Sequence, residues 1–95
     1  MNANIPVQHN LAEHRFEATV DGLLCVCDYR LSNGVATFTH TEVPPALGGR
    51  GIAAALVGAA LDWSKQENLK VLPACSYVAA YIRRHPQYQD LMARN

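Results

Sequence analysis

The alternation of apolar and polar residues changes halfway along the chain. In the first half the period is two, as in Phe16, Ala18 and Val20, which is typical of half-buried strands. Asp-Gly at 21–22 and Asn-Gly at 33–34 predict tight hairpin turns, because both pairs accept positive φ. Three antiparallel strands are therefore predicted, over residues 15–20, 23–31 and 35–43.

After residue 51 the period lengthens to three or four residues, which predicts an amphipathic helix. Asn68 is expected to end this helix. Polar residues lie on the opposite face of this helix. The predicted apolar face consists of Ile52, Leu56, Ala59, Ala60 and Trp63.

A short strand is predicted over residues 69–74, and the helix before it indicates a parallel crossover. Pro73 cannot donate to a strand ladder, so pairing is expected to break there and to leave Cys75 where the sheet opens. Ser76–Arg84 predicts a second, shorter helix with Ser76 as its N-cap.

Together these elements predict an α+β fold, in which an antiparallel β-meander is followed by a β-α-β crossover and a short C-terminal helix. Residues 1–13 show no sustained period and are expected to form a loosely ordered lead-in. Because 95 residues suffice for one core, residues 1–95 are predicted to form a single domain.

Charge and cysteine content narrow the expected partners and location. Eight acidic and eight basic residues provide no basic surface for nucleic acid or an anionic membrane. The sequence shows neither a membrane-spanning run nor a signal pattern, so a cytoplasmic protein with free thiols is expected. Cys25 and Cys27 share one strand face and are predicted to pack in the core, since C-x-C alone is a weak metal signal.

The segment between the third strand and the first helix is rich in glycine. Gly48, Gly49 and Gly51 let backbone amides approach a ligand, and the first turn of a helix leaves its amides unpaired. A cradle for the pyrophosphate of a cofactor is therefore predicted. The segment lacks the Lys and hydroxyl of a nucleotide P-loop, and its glycine spacing differs from the dinucleotide fingerprint.

Four motifs, one of them in the glycine segment, follow the order of these elements. They are His40-Thr41-Glu42-Val43-Pro44-Pro45, Gly49-Arg50-Gly51-Ile52-Ala53, Pro73-x-Cys75-x-Tyr77-Val78 and Tyr81-Ile82-Arg83-Arg84-His85-Pro86. Together they resemble the acetyl-CoA-binding core of the GNAT superfamily, and in particular its minimal single-domain N-acetyltransferase-like members. The resemblance covers about residues 11–92. It departs from the usual R/Q-x-x-G-x-G/A motif at the first position, which is Gly48 here.

The resemblance implies acetyl-CoA or coenzyme A as the cofactor. Backbone amides of the glycine turn would hold the pyrophosphate, Val43 would pair with the pantetheine arm, and Arg50 would add a charge-assisted contact to phosphate. The implied cofactor-binding residues are Val43, Gly48, Gly49, Arg50, Gly51, Ile52, Ala53 and Tyr77.

Cys75 is the first candidate for chemistry, because it precedes a helix whose N-terminus would stabilise a thiolate. In a covalent route the Cys75 thiol accepts the acetyl group and passes it to an amine. The family resemblance supports this role. The alternative is a small residue that packs beside the cofactor.

A direct transfer needs a base for the incoming amine and an acid for the departing thiol. His40 and Glu42 share a strand face near the cradle and are the candidate bases. Tyr81 and Tyr77 are the candidate acids. Hydrogen bonding or packing is the alternative role for each of these side chains.

Two functions stay open at this point. One is an N-acetyltransferase acting on an amine of an unknown protein or small molecule; the other is a non-catalytic acyl-CoA-binding module that works through a partner protein. The chain lacks the insertions that wall the acceptor pocket in full-size relatives, so the acceptor is not predicted and a dimer is left open. A redox or metal protein using the three cysteines is a third alternative.

Overall fold

The structure is a computed structural model that describes residues 5–93. Five strands form one sheet and are neighbours in chain order: β1 Gln8–Asn10, β2 Arg15–Val20, β3 Leu23–Ser32, β4 Val35–Glu42 and β5 Lys70–Pro73. The first four are antiparallel neighbours, and β5 is parallel to β4. The α+β fold with a meander and a crossover is thus confirmed.

Two tight turns connect the strands of the meander. Asp21 and Gly22 have φ of 52° and 76°, and Asn33 and Gly34 have φ of 51° and 77°. Positive φ at both central residues matches the right-handed twist of the flanking strands. Both predicted turns are confirmed, and the strand bounds agree with the prediction to within one residue.

Strand β1 lies in the stretch where the sequence shows no period, and was not predicted. Its His9 ring stacks on Phe16 with centroids 4.0 Å apart and lies edge-on to Trp63 at 4.7 Å. Nε2 of His9 is 2.6 Å from the Tyr29 hydroxyl. Aromatic packing therefore anchors β1 to the core. Residues 1–4 of the expected lead-in lie outside the described residues.

Two α-helices, α1 at Ile52–Gln66 and α2 at Ser76–Arg84, cover one face of the sheet. The core lies between this face and the helices, and it contains Cys25 and Cys27, whose predicted burial is confirmed. Side chains on the opposite, open face of the sheet are more exposed; Leu24, for example, is 46% exposed. No helix within residues 5–93 is long and apolar enough to cross a membrane.

The end of α1 and the start of α2 follow from local backbone geometry. Asn68 adopts φ of 57° two residues after α1 ends, as expected of a helix stop. The N-cap of α2 is Cys75, so the prediction of Ser76 was wrong. Cys75 stays extended because its N–H donates to the Phe38 carbonyl of β4 at 2.8 Å, and the helix begins only at Ser76.

A 3-10 segment at Pro86–Leu91 returns the chain to α1. The buried Tyr88 donates its hydroxyl proton to the Asp62 carboxylate at 2.6 Å. Beyond this segment, Ala93 donates its N–H to the Val71 carbonyl at 2.8 Å. The C-terminal part of the chain is thereby attached to both α1 and β5.

Candidate functional site

The parallel strands β4 and β5 separate after a short shared ladder. The ladder ends at Phe38 and Pro73, which is where the sequence predicts a break. Cys75 makes the last backbone contact with β4, whereas β4 continues to Glu42 along β3. A gap therefore opens between the end of β4 and the start of α2.

The glycine segment leads from this gap into α1. Gly49 and Gly51 have φ of 78° and 77°, a conformation that favours glycine. Gly51 is the N-cap of α1, and the helix has neither a side-chain cap nor an acidic residue in its first turn. The first amides of α1 are therefore open to a ligand at the positive end of the helix dipole.

A cleft of about 300 Å³ lies against these amides. Its wall contains all eight residues predicted to bind the cofactor, together with Leu47 and Ala54, which the sequence analysis did not name. The cleft joins the end of β4 to the start of α2. The eight are Val43, Gly48, Gly49, Arg50, Gly51, Ile52, Ala53 and Tyr77.

Arg50 has a partner within the protein. Its Nη1 lies 2.7 Å from Oδ2 of Asp21 in the β2–β3 turn, and both side chains are largely exposed. An exposed ion pair contributes little to stability, so a phosphate can replace the carboxylate at small cost. The sequence gives no signal for this contact because the two residues are distant along the chain.

Cys75 is half-buried at the edge of the gap, where it caps α2. Burial raises the pKa of its thiol, but the Thr41 hydroxyl and the nearby backbone amides of Val78, Tyr77 and Thr41, which all favour the thiolate, outweigh this effect. The pKa of Cys75 is therefore lowered overall. Amides at a helix N-terminus and a hydroxyl thus both favour the thiolate.

Thr41 is the site residue that sequence reasoning missed. Asp28 of β3 pairs with His40 whereas Tyr29 pairs with Phe38, so β4 carries one extra residue between these pairs. This β-bulge reverses the alternation and turns Thr41 toward the covered face. One signal existed, since unbroken alternation from Phe38 would place His40 in the core at a high desolvation cost.

His40 and Glu42 lie on the open face of the sheet. His40 Nε2 is 2.9 Å from Glu42 Oε1, and more than half of each side chain is exposed. The two residues share a strand face, as predicted, but the structure does not bring them beside Cys75, whose sulfur contacts Thr41 on the other face. Their role as bases stays a prediction.

The two candidate acids occupy different positions on α2. Tyr77 lines the cleft, whereas the hydroxyl of Tyr81 faces α1, where a Cβ at Gly58 would lie 3.0 Å from it. The Tyr81 ring stacks on His85 with centroids 3.9 Å apart. Burial raises the pKa of both phenols, so both keep the proton that an acid must donate.

Fold and site together define a class of protein. A meander that leads through a glycine turn into a helix, with a gap between two parallel strands, is the arrangement of the GNAT fold. The chain matches the family model of GCN5-related N-acetyl-transferases over residues 15–91. It therefore belongs to this family.

Relatives and a solved structure extend this finding over most of the chain. Protein NATD1 of Gallus gallus is 34% identical over 91 residues, which cover 92% of this chain and 82% of that protein. Protein NATD1 of Homo sapiens is 34% identical over 92% of this chain and 80% of its own length. A GCN5-like protein of Staphylococcus aureus, solved by NMR, superposes with a TM-score of 0.75 at 26% identity, over 98% of this chain and 92% of the other. The resemblance drawn from the motifs is confirmed.

Proposed function

We propose that this protein binds acetyl-CoA and transfers its acetyl group to an amine of a protein or a small molecule. The observation that carries the proposal is the cleft, in which the end of β4, the glycine turn and the uncapped N-terminus of α1 meet in a chain of the GCN5-related family. Cys75, two residues before Tyr77 of the cleft wall, has surroundings that favour its thiolate.

The residues of the cleft fit acetyl-CoA. Amides of Gly51, Ile52 and Ala53 would bind the pyrophosphate, as helix N-termini bind anions. Val43, past the last pair of β4, would bind the pantetheine arm through its backbone. Arg50 would exchange the Asp21 carboxylate for a phosphate. When bound, acetyl-CoA supplies an acetyl thioester.

In the covalent route Cys75 first gives its thiol proton to water. The Cys75 thiolate then attacks the thioester carbonyl carbon, and a new S–C bond forms while the bond from that carbon to the coenzyme A sulfur breaks. Water or one of the candidate acids would give the departing sulfur its proton. A neutral amine next attacks the acetyl-cysteine and loses a proton to water, and Cys75 is regenerated as the thiolate.

Other side chains would assist proton transfer. Tyr81 and Tyr77, which keep their protons at neutral pH, are the candidate donors to the departing sulfur. His40 and Glu42 are candidate bases for an amine that approaches from the open face of the sheet. Direct transfer by these groups, without acylation of Cys75, is a second route to the same products.

A non-catalytic acyl-CoA-binding module is the second candidate function. Among the described residues, no segment covers the open face as the wall of an acceptor pocket. The connection at 21–22 is only a two-residue turn, and Leu24 and Leu72 are exposed. In this function the cleft binds acyl-CoA, and a partner protein covers the open face.

Mass spectrometry of the purified chain with acetyl-CoA tests the proposal. Native spectra report the complex, and denaturing spectra report a covalent acetyl adduct. We expect a complex in wild type and Cys75→Ala, and an adduct that disappears in Cys75→Ala but persists in Cys25→Ala, in which a buried thiol is removed. Turnover with an amine acceptor is followed in parallel by release of coenzyme A.

The outcomes separate the candidates. A complex with turnover but no adduct favours direct transfer, and a complex with neither favours the binding module. If no complex forms at any acetyl-CoA concentration that native spectra tolerate, both functions are contradicted.

A further inference from the structure

Thr41 lies between two cysteine sulfurs at the inner side of the gap. Its Oγ1 is 3.5 Å from Sγ of Cys75 and 3.8 Å from Sγ of Cys27. Cys27 is the cross-strand partner of Thr41 and is fully buried. Side chains from β3, from β4 and from the start of α2 thus form a row of thiol, hydroxyl and thiol.

The row depends on the β-bulge in β4. If Thr39 were paired in regular alternation instead of forming the bulge, His40 would take the inward position after Phe38 and Thr41 would face solvent. A β-bulge interrupts the strand ladder. Here it brings a hydroxyl group within hydrogen-bond distance of both sulfurs.

A hydroxyl has one proton and two acceptor positions, so Thr41 can donate to only one sulfur at a time. While Cys75 is protonated, its S–H donates to Thr41, and the Thr41 proton points to Cys27. After Cys75 loses its proton, Thr41 must turn its own proton toward the thiolate. The Cys27 S–H can then donate to Thr41 in turn.

The charged and titratable groups around the row favour this reversal. Burial, opposed by the hydrogen bond from Thr41 and assisted by the nearby Cys75 and Asp28, raises the pKa of Cys27 to about 12. Cys27 therefore stays a proton donor when Cys75 ionises. From α2 only backbone amides act on Cys75, while His40 and Glu42 of β4 face the opposite side of the sheet.

We infer that Thr41 and Cys27 are positioning residues for Cys75. When Cys75 ionises, the Thr41 hydroxyl reverses its hydrogen bond and donates to the Cys75 thiolate. The Cys27 thiol then donates to the Thr41 oxygen. The inference rests on the proposed function, in which Cys75 reacts as a thiolate. It gives a role to a buried thiol that the acetyl-transfer steps do not otherwise use.

The pH profile of Cys75 alkylation tests the inference on the full chain without acetyl-CoA. Iodoacetamide reacts with the thiolate, and peptide mass spectrometry reports the rate at Cys75 alone. Thr41→Val removes the hydroxyl, and we expect the midpoint to rise by about one pH unit, with alkylation at pH 7 about tenfold slower. Thr41→Ser should restore the wild-type rate to within about threefold, because it restores the hydroxyl.

Two further variants complete the test. Thr39→Val, at the exposed bulge of the same strand, is the matched control and should keep the wild-type profile. Cys27→Ala should slow alkylation at pH 7 by about twofold to threefold, as expected from a smaller shift of the same pKa. Circular dichroism reports whether each variant is folded.

An unchanged midpoint in Thr41→Val, or an equal change in Thr39→Val, overturns the inference. If Thr41→Val does not fold, Cys27→Ala decides, and an unchanged midpoint there overturns it. A shifted midpoint in Thr41→Val together with no acetyl adduct in wild type supports the inference while it contradicts covalent transfer.

Discussion

At the scale of single residues, the cradle depends on two glycines whose backbone conformation other residues adopt at a cost. A side chain at Gly49 or Gly51 would meet no atom within 4 Å, so space does not require glycine there. Their positive φ favours glycine, because a residue with a Cβ is strained by about 1–2 kcal/mol in the left-handed region. A substitution therefore tests backbone geometry without a steric clash.

Gly51→Ala is expected to lower the free energy of unfolding by about 1 kcal/mol and to weaken coenzyme A binding. Gly34→Ala, at the same φ of 77° and in equally open space, is the matched control in the β3–β4 turn. It should lose similar stability and keep its affinity. Urea unfolding and calorimetric titration measure both effects, and equal affinity of the two variants would contradict a cradle at Gly51.

At the scale of elements, β1 is coupled to pH through His9. Burial, and then repulsion from His14, lower the pKa of His9 below 6.5. The unfolded chain thus binds more protons than the folded chain in acid. The stability that neutral His9 contributes is complete above pH 6.5, the unfolded pKa, and is lost as the pH falls through the lower, folded pKa.

We expect the free energy of unfolding to decrease from pH 7.5 to pH 5, and His9→Phe to decrease less over this range. Phenylalanine keeps a ring against Phe16 but carries no titratable group. His40→Gln, which removes an exposed histidine, should keep the wild-type dependence. Urea unfolding at several pH values provides the comparison, and parallel curves for wild type and His9→Phe would rule out this coupling.

The contact between α1 and α2 gives a second prediction at this scale. Alanine is a better helix former than glycine by about 1 kcal/mol, but a Cβ at Gly58 would lie 3.0 Å from the Tyr81 hydroxyl. Gly58→Ala should therefore change stability by less than about 0.5 kcal/mol in wild type and add about 1 kcal/mol in a Tyr81→Phe background. A double-mutant cycle in urea measures this coupling, and an equal effect in both backgrounds would refute the contact.

At the scale of the whole molecule, the three thiols differ in how deeply they are buried. Cys25 and Cys27 are fully buried, whereas Cys75 is half-buried. At pH 8 the folded chain is expected to add one iodoacetamide group at Cys75 rapidly. The other two thiols should react only when the chain unfolds globally.

Leu56→Ala tests this dependence, because truncation of a fully buried leucine lowers stability by about 2–5 kcal/mol. The second and third adducts should then form at least about tenfold faster, while the rate at Cys75 stays the same. Intact mass spectrometry follows all three adducts. Equal acceleration at Cys75 would show that its reaction also needs global unfolding.

Local patterns determine much of this protein before any tertiary contact is known. Alternation and Asp-Gly or Asn-Gly turns define β2, β3 and β4, and the longer period defines α1, because these signals depend on neighbours in the sequence. The glycine turn and the first turn of α1 contain six of the eight cleft residues that the family resemblance implies, and Val43 and Tyr77 come from the motifs on either side. Which acceptor binds is not encoded in such a local pattern.

Other features were decided only by tertiary structure, because contacts distant in sequence create them. β1 is held by aromatic rings from β2, β3 and α1, and Cys75 caps α2 because β4 keeps its backbone extended. Thr41 faces the thiols because one extra residue shifts the register of β4 on β3. A histidine at the inward position 40 is the only sign of this shift that the alternation of apolar and polar residues contains. The pairing of β4 with β3 decides it, because a single added residue moves every later side chain to the other face.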